Sequence, residues 1–264
     1  MSGLGPVGRL GRLAARYPGR VGLAWLVIAL GLGVLAPKVE HALSGAGWEA
    51  TGSESVEARE RIDREFGGLS SYALQVVVHS QAETTDEPRF AAALARAEEI
   101  LGADDAVGEV VPPEPGASVS PDRHTAVIQA AAAEGPNEMV RAADRLKGAL
   151  AAAGSDTVEV NLTGAAGMWS DFNEANKEAM LKSELISWPV TLAILVLAFG
   201  SLVAAGLPLL LTILGLVASA GVLYLGAQIT DISIWAMNFA LMFALALGID
   251  YALFVVMRFR GVFF

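Results

Sequence analysis

The sequence predicts an α-helical membrane protein with four transmembrane helices and an α+β extracytoplasmic domain of ferredoxin-like (β-α-β-β-α-β) order between the first and second helix. Three observations predict it. The 264 residues are 54% hydrophobic and 17% charged, well under the roughly 25% charge of an ordinary soluble domain. The charge is confined: residues 1–20 hold four arginines and no acid, residues 37–185 hold 26 acids against 12 bases, and residues 186–264 hold only Asp231, Asp250, Arg258 and Arg260. The acidic stretch also switches repeatedly between helical and strand periodicity, while its flanks are almost continuously apolar. A net charge of −10 leaves no electrostatic footprint for nucleic acid. The absence of cysteine excludes a disulfide scaffold, a thiolate metal site and a cysteine nucleophile together.

The elements follow in order. Residues 1–20 form a basic N-terminal segment, and 21–36 are an apolar run behind Arg9, Arg12, Arg16 and Arg20. A signal peptide shares this outline, but the run leads into Pro37-Lys38-Val39-Glu40 with no small-residue cleavage site, so it reads as a first span. It is short against the roughly 20 residues a span needs. Three further spans are expected at about 186–199, 202–225 and 232–257, separated by Gly200-Ser201 and by the polar break Gly226–Asp231. Four spans return the chain to its starting side. The arginines at 9–20 and at 258–260 then both face the cytoplasm, as lysine and arginine prefer, and residues 37–185 lie outside a plasma membrane.

Within 37–185, Ser53-Glu54-Ser55 opens a helix in which Val56, Ile62 and Phe66 recur near helical spacing. Tyr72–His79 alternates Leu74, Val76 and Val78 on one face, a strand signal. Pro88–Leu101 is a helix with Phe90, Leu94, Ala97 and Leu101 inward. Ala106–Val111 and His124–Ala130 are strands, Asn137–Ala153 a helix stopped by Gly154, and Thr157–Thr163 a last alternating strand. That succession is the split βαβ arrangement. From Ser170 a polar helix runs on into the second span through Trp188-Pro189.

Asp250 is the residue with chemistry to offer. If the inner part of the last span is 238–257, it lies about 4 Å from the midplane at 1.5 Å per residue. An acid at that depth costs roughly 2.5–3.5 kcal/mol, and low dielectric favours the neutral carboxyl over the carboxylate. Tyr251 adds a hydroxyl beside it. Phe243, Ala246, Leu247 and Phe254 share the face of Asp250, which is therefore expected to meet other helices. The residues alone leave two readings: a carrier that takes and gives up a proton, or a structural acid satisfied by a neighbouring hydroxyl. Asp231 reads as a solvated span end. His41, His79 and His124 lack ligand spacing, Asn161-Leu162-Thr163 is a pattern common by chance, and Gly215-x-x-x-Ser219 suits close helix packing. No nucleophile triad, phosphate loop or dinucleotide fingerprint is present, so an enzyme is not expected.

Gly248-Ile249-Asp250-Tyr251-Ala252-Leu253-Phe254, followed by Arg258-Phe259-Arg260, resembles the G-I-D-Y-x-L-F…R-x-R signature of the MMPL transporters of the resistance-nodulation-division (RND) superfamily. Glu184, Trp188-Pro189 and Phe199-Gly200-Ser201 resemble that family's second span, and Gly164-Ala165-Ala166 the end of its first external domain. The resemblance implies export of lipids or other hydrophobic molecules driven by the proton motive force. It implies Asp250 and Tyr251 as the proton relay and 37–185 as a porter-like domain that handles substrate. Protons, a hydrophobic substrate and membrane lipids are the implied partners, with no cofactor and no nucleic acid. Family proteins have twelve spans in two halves with an Asp-Tyr pair in each. Here the chain stops after the fourth span, and the pattern breaks after Arg260, where acidic residues are usual. The expectation is thus a truncated N-terminal portion whose relay partner comes from the missing half or another copy. The alternative is a non-transporting remnant or accessory membrane protein that presents its external domain to a partner.

Overall fold

The structure, a computed structural model, describes residues 5–47, 49, 52–230 and 232–263. Asp231 lies outside the described residues, as does the side chain of His41. The chain divides into two compact units, one of residues up to Leu43 together with Lys182 onward, the other of Ser44–Leu181.

Helix α1 (Pro6–Arg16) stops at Tyr17, whose φ of −131° and ψ of 56° leave the helical region, and α2 (Pro18–Gly33) starts afresh with Pro18 in its first turn. Proline suits that position because the first N–H groups of a helix have no intrahelical acceptor. A 3₁₀ turn, Ala36–Lys38, leads to the short α3 (Val39–Ala42). The apolar run read at 21–36 thus lies in a 21-residue helical stretch, Pro18–Lys38, long enough to cross a bilayer.

In the second unit, α4 (Glu54–Glu65), β1 (Leu74–His79), α5 (Pro88–Gly102), β2 (Val107–Val111), β3 (Thr125–Ala132), α6 (Pro136–Ala153) and β4 (Glu159–Thr163) follow in order. The strands form one sheet in the order β2-β3-β1-β4, and every neighbouring pair is antiparallel. At its centre Val76 sits opposite Ile128 on one side and Leu162 on the other. Because strand side chains alternate, Leu74, Val76 and Val78 all enter one core. They meet Phe90, Ala93, Ala97 and Leu101 from α5 and Met139, Ala143, Leu146 and Leu150 from α6. Fully burying a side chain the size of Leu101 or Phe90 contributes about 1.5–3 kcal/mol.

Several expectations shift here. Leu94 packs on the core as expected but is only half-buried, and Ala93 joins the buried stripe of α5 at 90-93-97-101. Helix α4 forms, but Ile62 and Phe66 remain 43% and 65% exposed. β3 begins at Thr125: the His124 N–H turns to Asp122 Oδ1 at 3.2 Å, and its ring Nδ1 lies 2.9 and 3.0 Å from the Ser80 and Glu83 carbonyls. It runs on to Ala132, whose N–H donates to the Gly68 carbonyl at 2.9 Å. Gly68 has a φ of +87°, and a Cβ there would lie 2.2 Å from the Ala132 carbonyl oxygen, so glycine is required.

The polar helix expected from Ser170 and the second span are one unbroken helix, α7 (Gly164–Phe199), which passes through Pro189. Then come α8 (Leu202–Ala227), whose N-terminal Ala204 N–H donates to Ser201 Oγ at 3.4 Å, and α9 (Trp235–Phe263). The last helix starts later than 232 because Ser233 and Ile234 form a turn, their carbonyls accepting from the N–H groups of Ala236 and Met237. Counting the stretch from Pro18, four helices among the described residues are long and apolar enough to cross a membrane. Gly215 meets nothing within 4 Å; the close approaches are elsewhere. A Cβ on Gly221 would stand 2.4 Å from the Leu32 carbonyl oxygen of α2, and one on Gly248 2.7 Å from Thr212 Oγ1.

Candidate functional site

The site is built on α9. At 100° per residue, Gly248, Ile249 and Leu253 form one side of this helix. Ile249 and Leu253 pack on the cluster of Leu195, Phe199, Ala205 and Leu209 from α7 and α8. Gly248 brings the backbone against Thr212, which is buried and donates its hydroxyl to the Pro208 carbonyl at 2.9 Å. Pro208 lacks an N–H of its own, yet α8 runs through it unbroken. This contact fixes the rotation of α9 about its axis.

That rotation places Asp250 and Tyr251 on the opposite side, in an arc of about 100° that also holds Phe243, Leu247 and Phe254. All of these are exposed, Tyr251 to 70% and Phe254 to 77%. The face expected to meet other helices is therefore not the one that packs within this chain: α8 takes the glycine side. Among the described residues, Asp250 has no hydrogen-bond or ion-pair partner in the structure. What the arrangement offers is one carboxyl and one phenol, adjacent on an otherwise apolar surface, held in place by contacts on the far side of the helix. The sequence singles out the pair and, in the same motif, Gly248, but not Thr212 or the contact between them. The signal was available in the small residue directly before Ile249-Asp250, but its partner on α8 is a tertiary fact.

The Ser44–Leu181 unit has a hollow of about 520 Å³ beside Glu49, Arg59, Tyr72 and Trp169. Its charges are already engaged. The Arg59 guanidinium pairs with both Glu49 carboxylate oxygens and lies 5.2 Å from the centre of the Tyr72 ring. The Tyr72 hydroxyl donates to the Ala46 carbonyl at 2.8 Å, and burial pushes this phenol up against the opposing pull of Arg59. Gly47, at a φ of +91°, lies flat against the Trp169 indole, where a Cβ would come within 2.3 Å of Cζ2. Asn137 Oδ1 accepts from the Ser44 hydroxyl and the Ala46 N–H, and Asn173 donates to the Gly45 carbonyl at 2.9 Å. These contacts clasp Ser44–Gly47 and Glu49 to the domain. None of them was legible from local pattern. His79 and His124 are each spent on local hydrogen bonds, His79 to Thr125 and His124 to two carbonyls.

Comparison with known proteins gives a consistent picture. Residues 47–262 match the model of the MMPL family. A membrane protein of Streptomyces coelicolor is 34% identical over 260 residues, covering 95% of this chain and 36% of that one. The mycolic acid-containing lipids exporter MmpL11 of Mycolicibacterium smegmatis is 28% identical, covering 96% of this chain and 27% of its own length. The heme uptake protein MmpL11 of Mycobacterium tuberculosis is 27% identical over 96% of this chain and 26% of its own. The chain thus spans between a quarter and two-fifths of the length of these relatives.

Proposed function

Since the chain belongs to the MMPL family, we propose that it works within a transporter that uses the proton motive force to export lipids or other hydrophobic molecules across the plasma membrane. Asp250 and Tyr251 form the proton relay. The observation that carries this reading is the placement of Asp250, the one acid in the apolar length of α9, on the side left open by the α8 contact. A carboxyl there takes a proton when water reaches it from one side and releases it to the other. Tyr251 holds the carboxylate, or a water beside it, by its hydroxyl. One proton crossing supplies about 2.3 kcal/mol per 100 mV, and no cofactor is needed. The open face calls for helices from another part of the transporter or a second copy to close around the pair.

In this reading residues 1–20 are cytoplasmic, 21–36 cross the membrane, 37–185 are a porter-like extracytoplasmic domain and 186–264 carry the remaining spans. The β-α-β-β-α-β succession with antiparallel order β2-β3-β1-β4 supports a ferredoxin-like domain. The cargo is defined only as a class, since one relative is named for mycolic acid-containing lipids and another for heme. The test is Asp250→Asn in the native gene product, reconstituted with an imposed pH gradient and a fluorescent lipid. Proton-driven lipid flux falls to background while the level of protein in the membrane holds. Flux at the unsubstituted rate sinks the relay. If the unsubstituted protein moves neither protons nor lipid yet retains a protein on its external domain, the accessory reading replaces transport.

A further inference from the structure

The basic N-terminal helix carries an inference independent of transport. Helix α1 is not an extension of the first span: the backbone leaves the helical region at Tyr17, and Pro18 starts a new helix. An unbroken helix would stack its arginines along the axis of the span. The break instead lets α1 turn away from that axis directly where the apolar stretch begins. The helix is two-sided. Arg9, Arg12 and Arg16 fall within an arc of about 60°, and Leu10, Leu13 and Ala14 within a neighbouring arc of about 100°. Leu10 and Leu13 are 68% and 55% exposed, although no acid occurs in residues 1–20 to attract a protein partner's bases.

At the break the charges converge. The guanidiniums of Arg16 and Arg20 stand 5.5 and 5.2 Å from the centre of the Tyr17 ring, one from each helix. Two planar, always-charged forks held beside a phenol are suited to a phosphodiester, which guanidinium binds through paired N–H donors. Tyrosine itself prefers the depth of the headgroups. We propose that α1 lies in the membrane interface as a receptor for anionic phospholipid, with Leu10 and Leu13 dipped toward the acyl chains. Arg12, Arg16 and Arg20 then hold headgroup phosphates around Tyr17. The occupant is the anionic bilayer surface adjoining the first span. Arg12, Arg16 and Arg20 beside that span, in a stretch of twenty residues that contains no acid, match its charge, and the leucine arc matches its apolar depth.

The chain has no cysteine, so a single introduced one reports cleanly. A nitroxide placed by Leu13→Cys in the full chain is read for access to a water-soluble nickel chelate. The vesicles are phosphatidylcholine with a rising fraction of phosphatidylglycerol. The label is expected to withdraw from the chelate as phosphatidylglycerol rises, while one placed by Ala15→Cys stays accessible. The phosphatidylglycerol fraction needed for half withdrawal rises about fivefold for Arg12→Gln, Arg12→Lys restores it in large part, and replacing Arg12, Arg16 and Arg20 together by Gln abolishes the response. Equal withdrawal in pure phosphatidylcholine, or indifference to the triple replacement, overturns the proposal. So does reproduction of the shift by inorganic phosphate over phosphatidylcholine alone.

Discussion

At Gly248 the absence of a side chain has a measurable role. A methyl group there meets Thr212 Oγ1 at 2.7 Å, and that oxygen is tied to the Pro208 carbonyl by its own hydrogen bond. Turning it away sacrifices a buried hydrogen bond; leaving it forces α9 off α8. Gly248→Ala is therefore expected to lower stability in detergent by about 1–3 kcal/mol, the usual cost of overpacking. Thr212→Ala in the same chain should recover most of the loss, since the remaining Thr212 Cβ stands at an ordinary 3.5 Å. Thermal melts of the two single variants and the double variant form the cycle that checks this; strictly additive losses would show the contact to be unimportant. The residue scale is also where sequence reading was uneven. An acid deep in an apolar run is legible because its cost is independent of its neighbours, so Asp250 announces itself. Gly248 and Thr212 matter only through each other, and neither carries a local anomaly.

For whole elements, periodicity is a local consequence of geometry, so it survives without knowledge of the fold. Leu74, Val76 and Val78 alternate because a strand has two faces, and Phe90, Ala97 and Leu101 recur because a helix turns every 3.6 residues. Ends behave differently, since they depend on what else meets the backbone: the His124 carbonyl accepts from the Ser80 N–H, and the Ala132 N–H donates to the Gly68 carbonyl. The same long-range logic fixes α6. Arg145 donates to both Asp104 oxygens beyond the end of α5 and, at 2.8 Å, to Glu138 on its own helix. Burial alone would raise the Asp104 and Glu138 carboxyls, but the hydrogen bonds and charge of Arg145, with the Ala106 N–H at Asp104 and Arg141 at Glu138, outweigh it and hold both below the usual carboxylate range. A depressed carboxyl stabilises the fold above its unfolded value and ceases to do so as pH falls through its folded one. The contribution is thus present at neutral pH and lost below about pH 4. Because Arg145 is about half exposed, Arg145→Met should cost only about 1 kcal/mol at pH 7. The same replacement should make stability fall less steeply on acidification. Urea titrations of the two proteins across acidic pH measure it; parallel acid profiles would remove Arg145 from the account.

At the scale of the molecule, the most informative quantity is which side of the membrane each segment occupies. Charge distribution argues for it: four arginines before the first apolar stretch and Arg258 and Arg260 at the end of the last, against 26 acids in residues 37–185. An even number of crossings is the only count that puts both basic clusters on one side, and four helices of sufficient length are present among the described residues. The proposed orientation is the one the preference of arginine for the cytoplasm predicts. The arrangement makes four linked predictions that a cysteine-free chain is suited to test. A membrane-impermeant maleimide applied to intact cells should label Glu109→Cys, on an exposed position of β2, and Gln228→Cys, between α8 and α9. It should not reach Gly11→Cys in α1 or Ser201→Cys between α7 and α8 until the cells are opened. The four positions bracket the first three crossings one after another, so the pattern of failure is itself diagnostic. Labelling of Ser201→Cys together with Glu109→Cys, with Gln228→Cys protected, would mean that α7 does not cross. Labelling of Gly11→Cys and Ser201→Cys in place of the other two would invert the whole protein, and Asp250 would then open to the opposite compartment. Only the expected pattern puts the arginines of α1 against the cytoplasmic leaflet and the Ser44–Leu181 unit outside, as the proposed export requires.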